Sequence, residues 1–120
     1  MVYNRSYNLT TTKEINMTYT THNQDYTINA KTSGTHFVGT IETSYKDLVK
    51  MLGEPMFGDG EKVQAEWVIQ FDDGTIATIY DWKESISVQR VTDWHIGGFN
   101  NEAAEHVQDL FQESIIEIAA

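Results

Sequence analysis

An Asp-Gly pair between two runs of β-branched and aromatic residues constrains the fold of this chain more than any other feature. The stretch, residues 65–82, reads AEWVIQFDDGTIATIYDW. The pair at 73–74 suits a two-residue type I′ turn, and this predicts an antiparallel hairpin. In that register Trp67 lies opposite Tyr80, on an aromatic face that extends to Trp82. We expect this face to point into a hydrophobic core.

Two helices are indicated by apolar periodicity. Ser44 can cap the first, whose apolar residues recur at i, i+3, i+4 and i+7 from Tyr45 onward. Gly53 suits the left-handed residue after this helix, and Pro55 prevents its continuation. The second helix is predicted over residues 101–118, where an apolar stripe faces the core.

Alternation with a period of two predicts the other strands. Two short strands, residues 15–19 and 26–30, are expected to be joined around residues 22–25. A further strand is predicted over residues 37–42 and is interrupted at Gly39. Ile86, Val88 and Arg90 predict a last strand before the second helix.

Strand and helix segments are segregated in this sequence and do not alternate as βαβ units. This predicts an α+β fold, a single domain with an antiparallel β-sheet and two helices packed on it. We expect residues 1–14 to form a flexible N-terminal arm and residues 15–120 to form the domain. Cysteine is absent, which excludes disulfides and thiolate metal sites. No signal peptide or membrane-spanning run is recognised, and a cytoplasmic protein without membrane contact is expected.

The charge of the chain is strongly negative and uneven. The whole sequence has a formal net charge of -10, and residues 61–120 contribute 3 Lys and Arg against 12 Asp and Glu, or -9. Such a surface repels nucleic-acid backbones, so no direct nucleic-acid binding is expected. Acidic residues 105, 109, 113 and 117 also follow one another along the last helix. They form either a solvated face or a contact surface for a basic protein.

Little in the sequence indicates an enzyme. The predicted hairpin register places Glu66 opposite Asp81, and two facing carboxylates can serve as an acid–base pair or bind a hard cation. They can equally be ordinary surface carboxylates of an acidic protein. Zinc spacing, a nucleophile elbow and a dinucleotide fingerprint are missing, and the four histidines are scattered. We therefore expect no catalytic residues, no metal and no cofactor.

The segment DWHIGGFN, residues 93–100, is the candidate binding site. Its two glycines permit a tight bend and close approach of a ligand. Asn100 or Asn101 can cap the following helix, whose free N–H groups favour an anion. The neighbouring aromatic rings can offer a stacking surface for a base. Alternatively, the Trp side chains fill the core and the histidine is a satisfied polar residue.

Two cations complete this candidate site. Arg90 is the natural clamp for a phosphate, or else the ion-pair partner of a nearby acid. Lys83 follows the hairpin directly and can contact the same phosphate. The predicted ligand-binding residues are Trp82, Lys83, Arg90, Trp94, His95, Gly97, Gly98, Phe99 and Asn100.

The series GTIETSYKDLVKMLGEP, the Gly-Asp-Gly loop at 58–60, the hairpin and DWHIGGFN resembles small phage proteins, the Thoeris anti-defence sponges. The resemblance covers about residues 37–112. It implies a homo-oligomer that binds an anionic cyclic ADP-ribose signal without turnover, with pockets at subunit boundaries. It also implies a phage protein that acts in the cytoplasm of an infected bacterial host. Between Trp82 and Asp93 the family has a longer, glycine-containing loop, where this chain has ESISVQRVT.

Two functions of different classes follow from these features. The first is sequestration of a small nucleotide signal, either a cyclic ADP-ribose or a cyclic oligonucleotide. The alternative is an acidic inhibitor that blocks a basic, nucleic-acid-binding host defence protein such as a nuclease or a CRISPR complex. The net charge supports the inhibitor, and the aromatic, glycine-rich segment supports the nucleotide.

Overall fold

Six strands and three α-helices make up residues 18–25 and 29–119, the part of the chain that the computed structural model describes. The described side chains are those of residues 18–25 and 31–112. The predicted arm and the start of the first predicted strand lie outside this part. In chain order the elements are β1 (Tyr19–Thr21), α1 (Asn29–Thr32), β2 (His36–Glu42), α2 (Tyr45–Leu52), β3 (Met56–Phe57), β4 (Ala65–Phe71), β5 (Ile76–Tyr80), a 3₁₀ helix (Val88–Arg90), β6 (Asp93–Gly98) and α3 (Asn101–Ala119).

The strands form one antiparallel sheet in the order β1-β4-β5-β6-β2. The two-residue β3 pairs with the beginning of β4, and β1 pairs with its end. Both α2 and α3 contribute buried residues to the main hydrophobic cluster beneath this sheet. The prediction of an α+β domain with an antiparallel sheet and two packed helices is therefore confirmed.

The sheet has two unlike faces, because successive side chains along a strand alternate between them. The helix face, covered by α2 and α3, carries the cross-strand neighbours Trp67, Ile79 and Ile96, all fully buried. The other face, called the outer face below, carries the neighbouring set Glu66, Tyr80 and His95.

Both predicted helix starts are confirmed by their capping contacts. The Ser44 hydroxyl accepts the N–H of Asp47 at 3.0 Å, and the Asn100 side chain accepts the N–H of Glu102 at 2.9 Å. Gly53 has a φ of 86° and donates its N–H to the Val49 carbonyl, ending α2 where predicted.

Two tryptophans centre the core on the helix face. Trp67 and Trp94 pack edge to face with ring centroids 5.4 Å apart, and both are fully buried. Their indole N–H groups donate to the backbone carbonyls of Gly53 and Thr43, at 2.7 and 2.9 Å. Large aromatic area is thus buried without leaving a polar atom unpaired.

Glycine allows α3 to approach the sheet closely. A Cβ atom added at Gly98 would lie 2.3 Å from the Cβ of Ala103, and one added at Gly39 would lie 3.0 Å from the Cβ of Ala104. The predicted irregularity at Gly39 is confirmed as a register shift between Phe37 and Gly39.

The hairpin forms as predicted, but its register is shifted by one residue. Phe71 N–H donates to the Thr75 carbonyl at 2.8 Å, and Gly74 takes a φ of 93°. The loop therefore has three residues and ends in a left-handed glycine. Trp67 lies opposite Ile79, and Tyr80 lies opposite Glu66. The predicted inward positions of Tyr80 and Trp82 are wrong, since Tyr80 shares the face of Glu66 and Trp82 is 40% exposed. The predicted pairing of Glu66 with Asp81 is also wrong.

Three other local predictions are corrected. Residues 29–32 form the short helix α1 instead of continuing a strand, while residues 26–28 lie outside the described part. Val88–Arg90 form a 3₁₀ helix, with Val88 buried in the core. Gly97 and Gly98 lie within β6 and do not form a bend. Among the described residues, no helix is long and apolar enough to cross a membrane.

Candidate functional site

An aromatic cluster on the outer face is the most distinctive surface feature of the described chain. We define it as Phe37, Tyr80, Trp82 and His95. His95 is central: its ring lies 4.7 Å from Phe37, 5.6 Å from Tyr80 and 6.3 Å from Trp82, measured between centroids. The Trp82 and His95 rings are stacked, with an interplanar angle of 23°. Phe37 is 53% exposed and Trp82 is 40% exposed.

Strand pairing explains how the cluster assembles. Tyr80 and His95 are direct partners across β5 and β6. Phe37 pairs with Gly97, whereas Gly39 pairs with Ile96 on the helix face. Regular alternation would place residues 37 and 39 on one face, so the bulge between them moves Phe37 to the outer face.

A buried carboxylate positions Trp82. The side chain of Asp81 is fully buried on the helix side and accepts the backbone N–H groups of Gln64 and Ala65, at 2.8 and 3.0 Å. Its second oxygen accepts the Gln64 side-chain amide at 3.1 Å. Because Asp81 is held there, Trp82 is directed to the opposite, outer side as the chain leaves β5.

Lys83 covers part of the Trp82 ring. Its Nζ lies 5.4 Å from the ring centroid, within reach of a cation–π contact. Its φ of 55° is the only positive non-glycine value within the described residues. The Lys83 N–H donates to the Lys62 carbonyl at 2.7 Å, which joins this strained residue to the loop before β4. Non-glycine residues rarely adopt this conformation unless their surroundings hold them in it.

Beside the aromatic cluster lies a groove of about 360 Å³, which we call the outer groove. Tyr80, Trp82 and Gly97 connect it to the cluster. Its other lining residues are Thr35, His36, Gly58, Asp59, Val63, Glu66 and Thr78.

Glu66 brings an unpaired carboxylate to the outer groove. Its side chain is half-buried and forms no hydrogen bond with the residues that the structure describes. Burial raises the pKa of Glu66 above its ordinary value. The pKa of Tyr80 is also raised, chiefly by burial and additionally by the charge of Glu66. This end of the groove therefore presents carboxylate oxygens of Glu66 that no described hydrogen-bond donor meets.

Thr78 contributes a second polar group without a partner in the described part of the chain. It is 3% exposed, and no described donor or acceptor meets its hydroxyl. A Cβ atom at Gly97 would lie 2.5 Å from this hydroxyl oxygen, so glycine leaves the space in which it sits. Buried hydroxyls almost always have a partner, which makes Thr78 a candidate ligand contact.

The loop of residues 58–63 forms a rigid wall of the groove. One oxygen of Asp59 accepts the N–H groups of Glu61, Lys62 and Val63 at 3.0 to 3.1 Å. These bonds, led by those from Val63 and Glu61, lower the pKa of Asp59. A Cβ atom at Gly58 would lie 2.3 Å from the Val63 carbonyl oxygen, so the loop closes only around glycine.

The predicted ligand-binding residues do not converge on one place. Trp82, Lys83, His95 and Gly97 lie on or beside the outer face. The stacking role predicted for Trp94 is not available, because its side chain is fully buried beneath the helices. Gly98, predicted to approach a ligand, instead accommodates α3.

Phe99 and Asn100 lie at the opposite end of β6 from His95. Phe99 is four positions beyond His95 along the chain, a rise of about 13 Å for an extended strand. They line a separate groove of about 270 Å³ that also includes the carboxylate residues Asp73 and Glu102. The α3 N-terminus therefore meets the exposed Phe99 ring, as expected, but not Trp82, Trp94 or His95.

Arg90 is also remote from the outer groove. It is exposed at the end of the 3₁₀ helix, which contacts α2 on the helix side of the sheet. Its side chain forms no ion pair within the described part of the chain and does not line the outer groove.

Three candidate ligand contacts at or beside the outer groove were not identified from the sequence. Phe37 and Thr78 were not predicted as site residues, and Glu66 was considered only in a pair with Asp81. A three-residue hairpin loop would have placed Glu66, Thr78 and Tyr80 on one face. Considering a three-residue turn would therefore have identified these residues as neighbours from the sequence.

Searches for relatives and for a metal site give no further assignment. Comparison with known protein families, with curated proteins and with solved structures finds no match. Among the described residues, no group of three or more His, Asp or Glu side chains could hold a metal ion. The geometry of the outer face is therefore the feature that indicates a function.

Proposed function

We propose that this chain binds a small nucleotide signal in the outer groove and sequesters it without turnover. The observation that carries this proposal is the exposed Trp82 ring, which is stacked against His95 at the edge of a polar groove. The signal is of the cyclic ADP-ribose or cyclic oligonucleotide type. The setting we propose is a phage protein that counters defence in the cytoplasm of an infected bacterium.

Stacking supplies the first part of the affinity. A base that lies on an aromatic side chain gains about 1–3 kcal/mol. His95 on one side and the edge-on Tyr80 ring, 6.3 Å from Trp82, hold the indole in place. Because these contacts restrain the indole ring, little of its side-chain entropy remains to be lost on binding. The volume of the groove lies in the range of small-molecule sites.

Cationic side chains near the groove supply the second part of the affinity. A chain with a net charge of -10 repels phosphates in general. At the groove, however, the Lys83 ammonium group lies over the Trp82 ring, and the Lys83 N–H is hydrogen-bonded to the Lys62 carbonyl. Lys83 can contact the phosphate of a nucleotide whose base lies on Trp82.

The proposal includes self-association of the chain into a homo-oligomer. Phe37 at the edge of the aromatic cluster and Phe57 on β3 are 53% and 70% exposed. Exposed aromatic surface of this kind often marks a contact with another chain. We propose that a second copy covers the cluster and completes the groove. Light scattering at micromolar concentration should therefore show more than one subunit, and a monomer would contradict this part.

The acidic surface of α3 favours a second candidate function. Glu102, Glu105 and Asp109 are exposed and follow one another along the described part of this helix. Such a row can contact a basic host defence protein. Tight binding to a basic nuclease that persists when Trp82 is replaced would favour this inhibitor.

Calorimetry with cyclic ADP-ribose isomers and cyclic dinucleotides tests the nucleotide proposal. We expect saturable binding by the native chain and at least tenfold weaker binding by Trp82→Ala. Ile86→Ala is the matched control, since Ile86 is also exposed, at 38%, but does not line the groove. The ligand should be recovered chemically intact after release. Absence of binding to every nucleotide, or conversion of the ligand, would contradict the proposal.

A further inference from the structure

The outer groove contains two carboxylates, those of Asp59 and Glu66, and they differ in the number of hydrogen bonds that their oxygens accept. Asp59 uses one oxygen for three backbone N–H groups. Glu66 has no hydrogen-bond donor within the described residues, although it is half-buried. Its cross-strand neighbours are Met56 on β3 and Tyr80 on β5. A half-buried carboxylate without donors is costly, and a ligand that supplies two N–H groups would remove that cost.

Nucleobases differ in what they offer to such a group. An ionised carboxylate has only acceptors. Guanine carries two adjacent donors, N1–H and the N2 amino group, and these match the two oxygens of a carboxylate. Adenine presents an N6 amino group beside the N1 acceptor, so one carboxylate oxygen would face another acceptor.

We propose that Glu66 makes the outer groove selective for guanine over adenine, an inference that rests on nucleotide binding at Trp82. It favours a guanine-containing cyclic oligonucleotide as the signal, because the base of cyclic ADP-ribose is adenine. Tyr80 lies between the two groups: its ring is 6.3 Å from Trp82, and Glu66 is its direct cross-strand partner. A base stacked on Trp82 can therefore direct its hydrogen-bonding edge toward β4 and meet Glu66.

Thr78 complements the carboxylate in this arrangement. It lies on the same face of β5 as Tyr80 and is a diagonal neighbour of Glu66 across the strand pair. Its hydroxyl can donate to the O6 atom of guanine while Glu66 accepts from N1 and N2. This contact would pair a buried hydroxyl that lacks a partner in the described part of the chain. Adenine has an amino group at the corresponding position, so the hydroxyl can act only as an acceptor there.

Calorimetric titration of the full chain with GMP, dGMP, IMP and AMP tests this assignment. GMP and dGMP should bind equally and at least tenfold more tightly than AMP. IMP, which lacks the N2 amino group, should lie between them. Glu66→Gln should abolish the preference for guanine, because an amide presents one donor and one acceptor. Glu61→Gln should keep it, since Glu61 is exposed and does not line the groove.

The possible outcomes separate this inference from the proposed function. Binding of AMP as tight as that of GMP would overturn guanine selectivity while leaving nucleotide binding intact. Tighter binding of GMP than dGMP, with IMP equal to GMP, would show that Glu66 binds the ribose hydroxyls and would also overturn it. Binding of none of the four nucleotides would overturn guanine recognition by Glu66, whereas the proposed function is decided separately by the calorimetry with cyclic nucleotides. If Glu66→Gln does not fold, the native titration series still decides.

Discussion

Tyr80 lies directly opposite Glu66 across β4 and β5, and this pairing places a phenol and a carboxylate side by side on the outer face. The same phenol ring packs in T-shaped geometry against Trp82 and His95. Tyr80 therefore joins the aromatic cluster to the polar part of the groove. A single cross-strand pair sets the spacing between the stacking surface and the carboxylate that we propose to read the base.

The preference for guanine should depend on pH. Burial raises the pKa of Glu66, so this carboxyl becomes protonated at a higher pH than an ordinary glutamate. Protonation gives it a donor that matches the N1 atom of adenine. The ratio of the AMP to the GMP dissociation constant should therefore fall as the pH is lowered from neutral toward the ordinary pKa of a glutamate.

Other titratable groups around the groove require a control for this measurement. Asp59 and Tyr80 line the groove with Glu66 from the neighbouring loop and strand, His36 also lines it, and His95 lies on the outer face. Glu66→Gln reports their contribution, and its ratio should stay flat over the same range. A ratio that changes equally in both proteins would argue against protonation of Glu66 as the cause.

Lys83 and Arg90 should differ in their effect on nucleotide affinity. Lys83→Ala should weaken binding by about 1 kcal/mol, or roughly fivefold, because it removes the cation over Trp82. Arg90→Ala removes the same charge from the other side of the sheet and should leave the affinity unchanged. Calorimetry on the two variants compares them directly. A larger loss from Arg90→Ala would restore the sequence-based expectation that Arg90 is the phosphate clamp.

The helices were predictable from sequence because their ends depend on local chemistry. A serine cap, an asparagine cap and a left-handed glycine each act within a few residues of the chain. The hairpin register was not predictable in this way. Asp72-Asp73-Gly74 accommodates a two-residue or a three-residue loop, and the two differ by one hydrogen bond between Phe71 and Thr75. That single difference exchanges the faces of Tyr80 and Asp81.

The candidate site was harder to predict because its residues come together only in the sheet. Trp94 and Trp82 are the same residue type in similar sequence surroundings, Asp-Trp in both cases. One is fully buried and the other is 40% exposed, because Trp94 lies on the helix face of β6 whereas Trp82 follows β5 and is directed to the outer side. Phe37 reaches the outer face through a bulge, whose effect on direction cannot be deduced from Gly39 alone.

The contact between α3 and the hairpin turn should make stability depend on pH. His106 Nε2 lies 2.8 Å from Asp73 Oδ2. The pKa of Asp73 is lowered to about 2, mainly by the hydrogen bond from His106 and then by hydrogen bonds from Thr75. A carboxyl with a lowered pKa in the folded state adds stability above its ordinary pKa, near 4, and loses it as the pH falls toward about 2.

Asp73→Asn tests this contribution through thermal unfolding. It should lower the melting temperature at neutral pH, and the deficit relative to the native chain should shrink below about pH 4. Asp109→Asn removes the same charge at an exposed position of α3 and serves as the control. A deficit for Asp73→Asn that is independent of pH would contradict the role of its ionisation.

Gly98 should be essential for the packing of α3 on the sheet. A Cβ atom at this position would lie 2.3 Å from the Cβ of Ala103. Gly98→Ala should therefore destabilise the fold by about 1–3 kcal/mol. Denaturant unfolding of Gly98→Ala, Ala103→Gly and the double variant measures the coupling. The double variant should recover part of the loss, and strictly additive effects would contradict a direct steric contact.

Fluorescence of Trp82 tests the central claim most directly. Trp67 and Trp94 are fully buried, so Trp82 is the only tryptophan exposed enough to stack with an added base. Titration with cyclic ADP-ribose isomers, cyclic dinucleotides and GMP should produce saturable quenching by at least one nucleotide. The same nucleotide should leave the emission of a folded Trp82→Phe variant unchanged. Emission from the native chain that no nucleotide alters, or equal quenching of Trp82→Phe, would contradict nucleotide binding in the outer groove.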